Sequence, residues 1–473
     1  MFETARFLAR ALWERRVPSM RPPRIQALQQ RRLRRLVALA AKRSPFYAKR
    51  LKDIDPERFE LSELEPVSKT AMMENFDAVL TDRRLRYEDL ERFVSDPERL
   101  GQFYLGRYAV SRTSGTQGVP ALIVQDRRAL ELIFAAQATR GSALPSGPAD
   151  ALGRLLKPAR LAIVTIGHGF YPSAAALAYR PAGMDRFVDT RWFKHIDPME
   201  DLTRALEEFQ PEVLVAYASV LEALAREGKA GRLRLDRLRQ VTNISEPLSP
   251  GGRRLITAAF GLTVIDHYSC GECLILSFGC PQGHGMHLQS DWAVLEVVDR
   301  DGHPVEPGQA GAKVFMTNLF NTVQPFIRYE LPDVVTLSPE PCPCGSPFPL
   351  IRQVEGRTDE VVWVQDGNGF RDLHPYVFTH VLESNPAVGW YQLVQRERNR
   401  FLLRARPAAG RALVSESLTN FVRHGLHEFG LDQLVRVDVE ISDQVGPDPR
   451  TGKLKRITSL VGPPAYAGAA CAS

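Results

Sequence analysis

The chain has 473 residues, 44% of them hydrophobic and 8% aromatic, with 61 Lys and Arg against 55 Asp and Glu. This is the composition of a globular protein, and the length predicts two domains with at least one large core. The net charge of +6 is unevenly placed: residues 1–50 hold 14 basic and two acidic side chains, a net +12, so the other 423 residues carry −6. A surface built to coat nucleic acid would be basic throughout, so nucleic acid is excluded as the body's partner. No run of about 18 apolar residues is present, which excludes a membrane-spanning helix. Charges at Glu3, Arg6, Arg10, Glu14, Arg15 and Arg16 interrupt any secretory core segment, so a cytoplasmic protein is expected. Its six cysteines are then reduced thiols or metal ligands, not a disulfide frame.

In chain order, residues 1–50 read as a basic helical arm. Phe2, Ala5, Leu8, Ala9, Leu12 and Trp13 recur at helical spacing, as do Leu33, Leu36, Leu39 and Ala40 before Ser44-Pro45 breaks the pattern. Its charge suits solvated helix faces packed on a larger body, or a peripheral membrane or acidic-partner surface. From about 105 to 340 short β-branched runs such as 161–166, 212–217, 238–244 and 263–268 alternate with helical stretches such as 200–209 and 218–231. That rhythm predicts a βαβ series with parallel strands. Near 290 it gives way to strands and turns at 292–299 and 313–319, and after about 360 to a smaller α+β piece. Strands at 391–397, 400–406 and 434–441 there surround a helix over 413–430.

The sharpest local feature is 111–126, where Thr113, Ser114, Gly115, Thr116, Gln117 and Gly118 form a glycine-bearing loop of short hydrogen-bonding side chains. Such a loop can wrap amide and hydroxyl donors around a polyphosphate, although Ser/Thr/Gly loops are also common in hairpins. It is not the NTPase P-loop, because Val119 stands where a lysine would be wanted. Four further segments follow: 243–272 with Tyr268 and Glu272 four residues apart, 326–337 with Asp333, 354–362 with Arg357 and Asp359, and the glycine-lysine loop 449–460.

In this order the motifs resemble the adenylate-forming enzymes, in their phenylacetate–CoA ligase branch, and within it the capsule-biosynthesis and deazaflavin-coenzyme adenylyltransferase-like subgroup. The resemblance is collinear from Arg43-Ser44-Pro45-Phe46-Tyr47 to Lys453-Leu454-Lys455-Arg456. It implies an α/β fold with a large N-terminal adenylate-forming domain over 1–357, built of βαβ layers plus a strand-rich subregion. A mobile C-terminal α+β domain over 358–473 would carry the glycine-lysine loop. Thr113 to Gly118 match the loop that holds the ATP phosphates, with Gln117 in place of a threonine. Ser245, Glu246 and Pro247 match the loop lining the adenine, Tyr268 the aromatic stacked near it, and Glu272 the carboxylate that helps hold Mg²⁺. Asp333 matches the carboxylate on the ribose hydroxyls, Arg357 a phosphate or ribose contact, and Asp359 the hinge. Lys453 matches the catalytic lysine that reaches the α-phosphate and the substrate carboxylate, with Lys455 its nearest rival. Segments 165–173 and 217–219 fall where such enzymes build the acyl pocket.

Cysteines form a second pattern: Cys270, Cys273 and Cys280 within eleven positions, then His284 and His287, then Cys342 and Cys344. Thiolates with an imidazole suit a closed tetrahedral zinc, and buried free thiols are the competing reading. Cys270 lies inside the adenine-facing loop. The match to zinc-bearing relatives implies Cys280, His287, Cys342 and Cys344, with His284 as the rival imidazole. One departure stands out: Asp366-Gly367-Asn368-Gly369, a hairpin-type turn, replaces a compact turn that faces the thioester half-reaction in ordinary aryl–CoA ligases.

The function implied is an ATP- and Mg²⁺-dependent ligase that adenylates an organic, aromatic-type carboxylic acid and transfers the acyl group to CoA. An amine or carrier-protein thiol is the alternative acceptor, and a catalytically silent nucleotide-binding scaffold the reading from another class. The implied partners are thus the acid and its acceptor, with a homodimer allowed.

Overall fold

The computed structural model describes residues 2–113, 121–141, 157–165, 170–181, 184, 187–194, 197–357, 362–367, 369–373, 377–378, 381–382, 384–385, 387–408, 410–446 and 456–461. Ser114 to Gly118, His168, Asp359, Lys453 and Lys455 lie outside them. Two compact units are present. One comprises Met1–Leu248, Gly252–Leu331 and Val335–Val354; the other comprises Glu355–Ser473 together with Ser249–Gly251 and Pro332–Val334.

The arm forms α1 (Phe2–Arg16) and α2 (Pro22–Arg43). Prolines at the first turn of α2 cost no intrahelical bond there. Ile25, Leu33, Leu36, Val37 and Ala40 give α2 one buried face. Ser44 ends it and starts the next helix, Pro45–Arg50, by accepting from Tyr47 N at 3.3 Å and donating to Ala78 O at 2.9 Å. Tyr47 is buried and donates its hydroxyl to Pro325 O at 3.1 Å, so this motif anchors the arm to the strand-rich region.

The expected parallel series begins later than 105. The first strands, β1 (Tyr108–Arg112) and β2 (Leu122–Asp126), are antiparallel. Too few residues separate them for a parallel crossover, which needs a dozen or more. The parallel sheet comprises β3 (Ala159–Thr165), β4 (Val188–Lys194), β5 (Val213–Ala216), β6 (Gln240–Ile244) and β7 (Val264–His267), in the order β4-β3-β5-β6-β7. Helices Met199–Phe209 and Ala218–Lys229 pack on it, with Leu206, Phe209, Leu214, Leu221, Leu224 and Val264 in a common core.

Strands paired mainly antiparallel follow: β8 (Ser277–Gly279), β9 (Met286–Leu288), β10 (Ala293–Val298), β11 (Lys313–Asn318), β12 (Phe326–Leu331), β13 (Asp333–Leu337) and β14 (Leu350–Arg357). They make two sheets, β10-β11-β12 and β13-β14-β9-β8. In the second unit, β15 (Val362–Asp366) and β16 (Gly369–Leu373) form the hairpin expected at Asp366–Gly369, with Gly367 at φ +58°. Then β17 (Val388–Glu397), β18 (Arg400–Pro407), β19 (Arg436–Ile441) and β20 (Ile457–Ser459) form a sheet in the order β19-β18-β17-β20. Leu418, Val422 and Leu426 of helix Ser415–His427 join Leu393, Phe401 and Leu403 in that unit's core.

Candidate active site and thiolate cluster

Parallel strands point their carboxyl ends to one edge of the sheet, where open α/β folds bind ligands. Three segments singled out from sequence leave that edge together: Ser245 follows β6, Tyr268 follows β7 and Tyr217 follows β5, beside the end of β3 at Thr165; residues 166–169 lie outside the described residues. Ile244 pairs with His267 in the parallel ladder, so loop 245–247 and the Tyr268–Glu272 loop start side by side.

Each loop is held in shape by backbone bonds. Ser245 has φ +64°, a left-handed conformation that costs a non-glycine residue about 1 kcal/mol or more. Glu246 N bonds back to Ile244 O at 2.8 Å, and Asn243 Nδ2 donates to Glu246 O at 2.9 Å, which together fix the turn. The Glu246 carboxylate accepts from Ser219 N at 2.9 Å, on the N-terminus of helix Ala218–Lys229, where a negative charge is favoured. This side chain therefore ties loop 245–247 to segment 217–219. Tyr268 is buried, and its backbone is clamped by Ser277: Tyr268 N donates to Ser277 Oγ, and Ser277 N donates to Tyr268 O, both at 3.0 Å. Cys270 and Cys273 close the next turn by reciprocal backbone bonds of 3.3 and 3.0 Å, with Glu272 buried between them.

Gly271 lets Thr113 and β2 come close to this turn. A Cβ there would stand 2.8 Å from Ile123 Cδ1 and 3.2 Å from Thr113 Cγ2, so glycine lets this turn pack against β2 and Thr113 without displacing those side-chain ends. Thr113 closes the neck of its own loop, with Thr113 N donating to Ala121 O and Ala121 N donating to Thr113 Oγ1, both at 2.9 Å.

Sequence reasoning missed an amide ladder that fastens these loops. Asn318 Nδ2 donates to Glu272 O at 2.7 Å, and Asn321 Nδ2 to Val124 O at 3.0 Å. Gln324 takes Val124 N at 2.9 Å and gives to Leu122 O at 3.1 Å, replacing a neighbouring strand along β2. All three side chains are buried. The signal was three amides at three-residue spacing in 318-NLFNTVQ-324.

Missed as well were four buried polar atoms with no hydrogen-bond partner among the described residues: Thr165 Oγ1, Ser219 Oγ, Asn243 Oδ1 and His267 Nε2. Thr165, Asn243 and His267 sit at the carboxyl ends of β3, β6 and β7, and Ser219 in the first turn of the helix that follows β5. Native interiors seldom leave such atoms unpaired, and a polar ligand is one thing that would satisfy them. Burial lowers His267 to about 4, so its imidazole is neutral at pH 7.

In the other unit, Asp333 is buried at the start of β13 and Arg357 ends β14, its neighbour in the sheet.

The second constellation is closed. Cys280, His287, Cys342 and Cys344 offer ligand atoms that all lie within 4.8 Å of one another. Cys280 follows β8 and His287 lies on β9, the two strands of one hairpin, while the Cys342–Gly345 turn precedes β14. Cys280 Sγ is 3.7 Å from Cys342 Sγ, and Cys344 Sγ is 3.4 Å from His287 Nε2. Thiolates about 2.3 Å from a tetrahedral zinc stand about 3.8 Å apart, so the donor set fits that ion. Burial works to raise the Cys280 thiol, but the backbone N–H groups of His284 and Gln282 and the neighbouring sulfurs outweigh it and bring the thiol below its ordinary value. Burial, with His284 nearby, lowers His287 to about 4, leaving the neutral imidazole a metal needs. His284 itself is exposed and bonds Gln282 at 3.2 Å, so it stands outside the cluster. Cys273 is buried apart from the cluster, with its thiol raised to about 12 by burial.

No family model matches the chain. The fold is that of the adenylate-forming enzymes. Crystal structures of 2-hydroxyisobutyryl-CoA ligase in the postadenylation state with an acyl-AMP (TM-score 0.70, 22% identity, 94% of this chain and 91% of that one) and of the anthranilate CoA ligase AuaEII with anthranoyl-AMP (TM-score 0.54, 16% identity, 73% and 65%) share it. In sequence the chain is similar to phenylacetate-coenzyme A ligase of Thermus thermophilus, 26% identical over 387 residues that cover 79% of this chain and 78% of the relative. The resemblance to phenylacetate–CoA ligase is thus carried by sequence, and the fold is the one shared by adenylate-forming acid–CoA ligases.

Proposed function

We propose that the protein is an ATP-dependent acid–CoA ligase that works through an acyl-adenylate. The observation that carries this reading is the rim at the carboxyl ends of β3, β5, β6 and β7, where unsatisfied polar atoms, the adenine-facing loop and the Glu272 turn meet the base of loop 113–121. It is supported by the acid–CoA ligases the chain is similar to. A carboxylate oxygen attacks the α-phosphorus of ATP in line, the bond to the β-phosphate oxygen breaks, and pyrophosphate leaves with the electron pair. The acceptor thiol then loses its proton and attacks the acyl carbon, releasing AMP. Two anions must be brought together, so the protein's task is positioning and charge neutralisation. Mg²⁺ held through Glu272 would supply part of that neutralisation. Thr113 to Gly118 would donate to the phosphates, Ser245 to Pro247 and Tyr268 would hold the adenine, and Asp333 and Arg357 the ribose and phosphate. Lys453 would bridge the α-phosphate and the substrate carboxylate. Reduced cysteines and a need for ATP and CoA favour work in the cytoplasm. Zinc bound by Cys280, His287, Cys342 and Cys344 would brace the β8–β9 hairpin with no open coordination position.

A second reading, with an amine or a carrier-protein thiol as acceptor, is favoured by the β15–β16 hairpin at 362–373, which the resemblance implies replaces a compact turn of ordinary aryl–CoA ligases. Carboxylate-dependent ATP–pyrophosphate exchange over a panel of aromatic and short aliphatic acids tests the first half-reaction. Exchange with at least one acid, lost in Lys453→Ala, is expected; no exchange with any acid, or exchange indifferent to the substitution, rejects adenylation. Mass spectrometry of the products with CoA set against amines then decides the acceptor.

A further inference from the structure

We infer that the arm is a peripheral docking surface for an anionic lipid bilayer. No acidic residue occurs between Arg15 and Lys52. On α2, Arg24, Arg31, Arg35 and Lys42 are all exposed, and at 100° per residue they fall within about 40° of arc, a straight stripe about 27 Å long. Arg34 and Arg43 flank it, also exposed. None of these six cations makes an ion pair among the described residues; Arg32, on the inner side of the same helix, is the one committed inward, to Asp291 Oδ2 at 3.0 Å.

Helix α1 adds an apolar element. Leu8 and Leu12 are 42% and 58% exposed, and their spacing of four places them on one helical face. Arg10 and Glu14 point to the other side of α1, toward Trp292 and Arg140: the Arg10 guanidinium lies 5.7 Å from the Trp292 ring, and Glu14 accepts from Trp292 Nε1 at 3.0 Å. Arg32 of α2 stacks 3.2 Å over that same ring. Both helices are therefore fastened to one buried cluster, formed by Glu14, Arg32, Arg140, Asp291 and Trp292, and each turns its uncommitted face away from it.

Clustered Arg and Lys draw a segment to anionic headgroups, while neighbouring leucines enter the interface. Nucleic acid would use the cations but leave Leu8 and Leu12 without a role, and the arm presents no exposed aromatic ring for stacking on bases among the described residues. The body, at −6, would be repelled by the same bilayer, so attraction concentrated in the arm also orients the molecule.

The test is co-sedimentation of the full chain with phosphatidylcholine vesicles, with and without phosphatidylglycerol. Binding is expected only with phosphatidylglycerol and should weaken as salt rises. The triple variant Arg24→Glu/Arg31→Glu/Arg35→Glu should lose at least about a hundredfold in partitioning, and Leu8→Ser/Leu12→Ser about tenfold. A control with the same charge change in exposed body positions, Lys229→Glu/Arg254→Glu/Arg411→Glu, should bind as wild type. Thermal unfolding followed by circular dichroism identifies any variant that has not folded. Absence of binding to anionic vesicles overturns the inference, as does a control that weakens binding as much as the arm triple. Indifference to the leucine pair, or tighter arm-dependent binding to single-stranded homopolymer RNA, also overturns it.

Discussion

The strand-end rim and the thiolate cluster lie in the same unit and solve opposite problems. The cluster gathers three sulfurs and an imidazole so tightly that its members need only a cation to be complete. The rim is open: it stores a left-handed Ser245, leaves four buried polar atoms unsatisfied, and holds its loops from outside with Asn318, Asn321 and Gln324. A closed site can put its affinity into fold stability, whereas a turnover site must keep polar capacity unspent until its ligand arrives and recover it afterwards.

That contrast can be broken at several points. Stripping metal with a strong chelator, or Cys342→Ser, should lower the thermal midpoint by on the order of 10 °C. Elemental analysis should find close to one zinc per chain, and a metal-free chain of unchanged midpoint would end the structural role. Glu272→Gln should leave the midpoint nearly unchanged while cutting pyrophosphate exchange about 100-fold or more; a large stability loss with intact exchange would reverse the assignment. Gln324→Leu removes two hydrogen bonds to β2 and should cost about 1–3 kcal/mol in urea unfolding. It should also raise KM for ATP more than KM for the acid if loop 113–121 holds the phosphates as proposed, because β2 leads out of the neck of that loop. The smallest effect on stability is expected from Ser219→Ala, which breaks no side-chain hydrogen bond. Its unfolding midpoint should stay within error, and a raised KM for the acid, by about tenfold, would show that the hydroxyl is reserved for substrate.

Legibility followed the range over which each feature is determined. The parallel strands at 159–165, 213–216, 240–244 and 264–267 were readable because strands buried on both faces are continuous β-branched runs. The hairpin β1–β2 was misread as part of that series, since period alone does not reveal pairing direction; the short connection does. Cys280, Cys342 and Cys344 were visible because cysteine is rare, and the resemblance implied His287 with His284 as rival; the physical reason for that choice, one on β9 and the other on an exposed turn, is in the fold alone. Glu246, Asn318, Asn321 and Gln324 act on partners between 27 and 202 residues away, and no local pattern announces bonds of that span. The unsatisfied atoms at Thr165, Ser219, Asn243 and His267 were invisible in principle, because satisfaction is a property of surroundings.

The clasp between α2 and Asp291 joins residues 259 positions apart. During synthesis at about 5–20 residues per second, the arm leaves the ribosome roughly 13–50 s before the carboxylate that receives Arg32. Glu14 likewise waits for Trp292, and Ile25 for Phe348. Until then α1 has helix Arg127–Arg140 to pack on, but a nascent chain halted before residue 291 holds the arm without the Asp291–Trp292 anchor that fastens both of its helices.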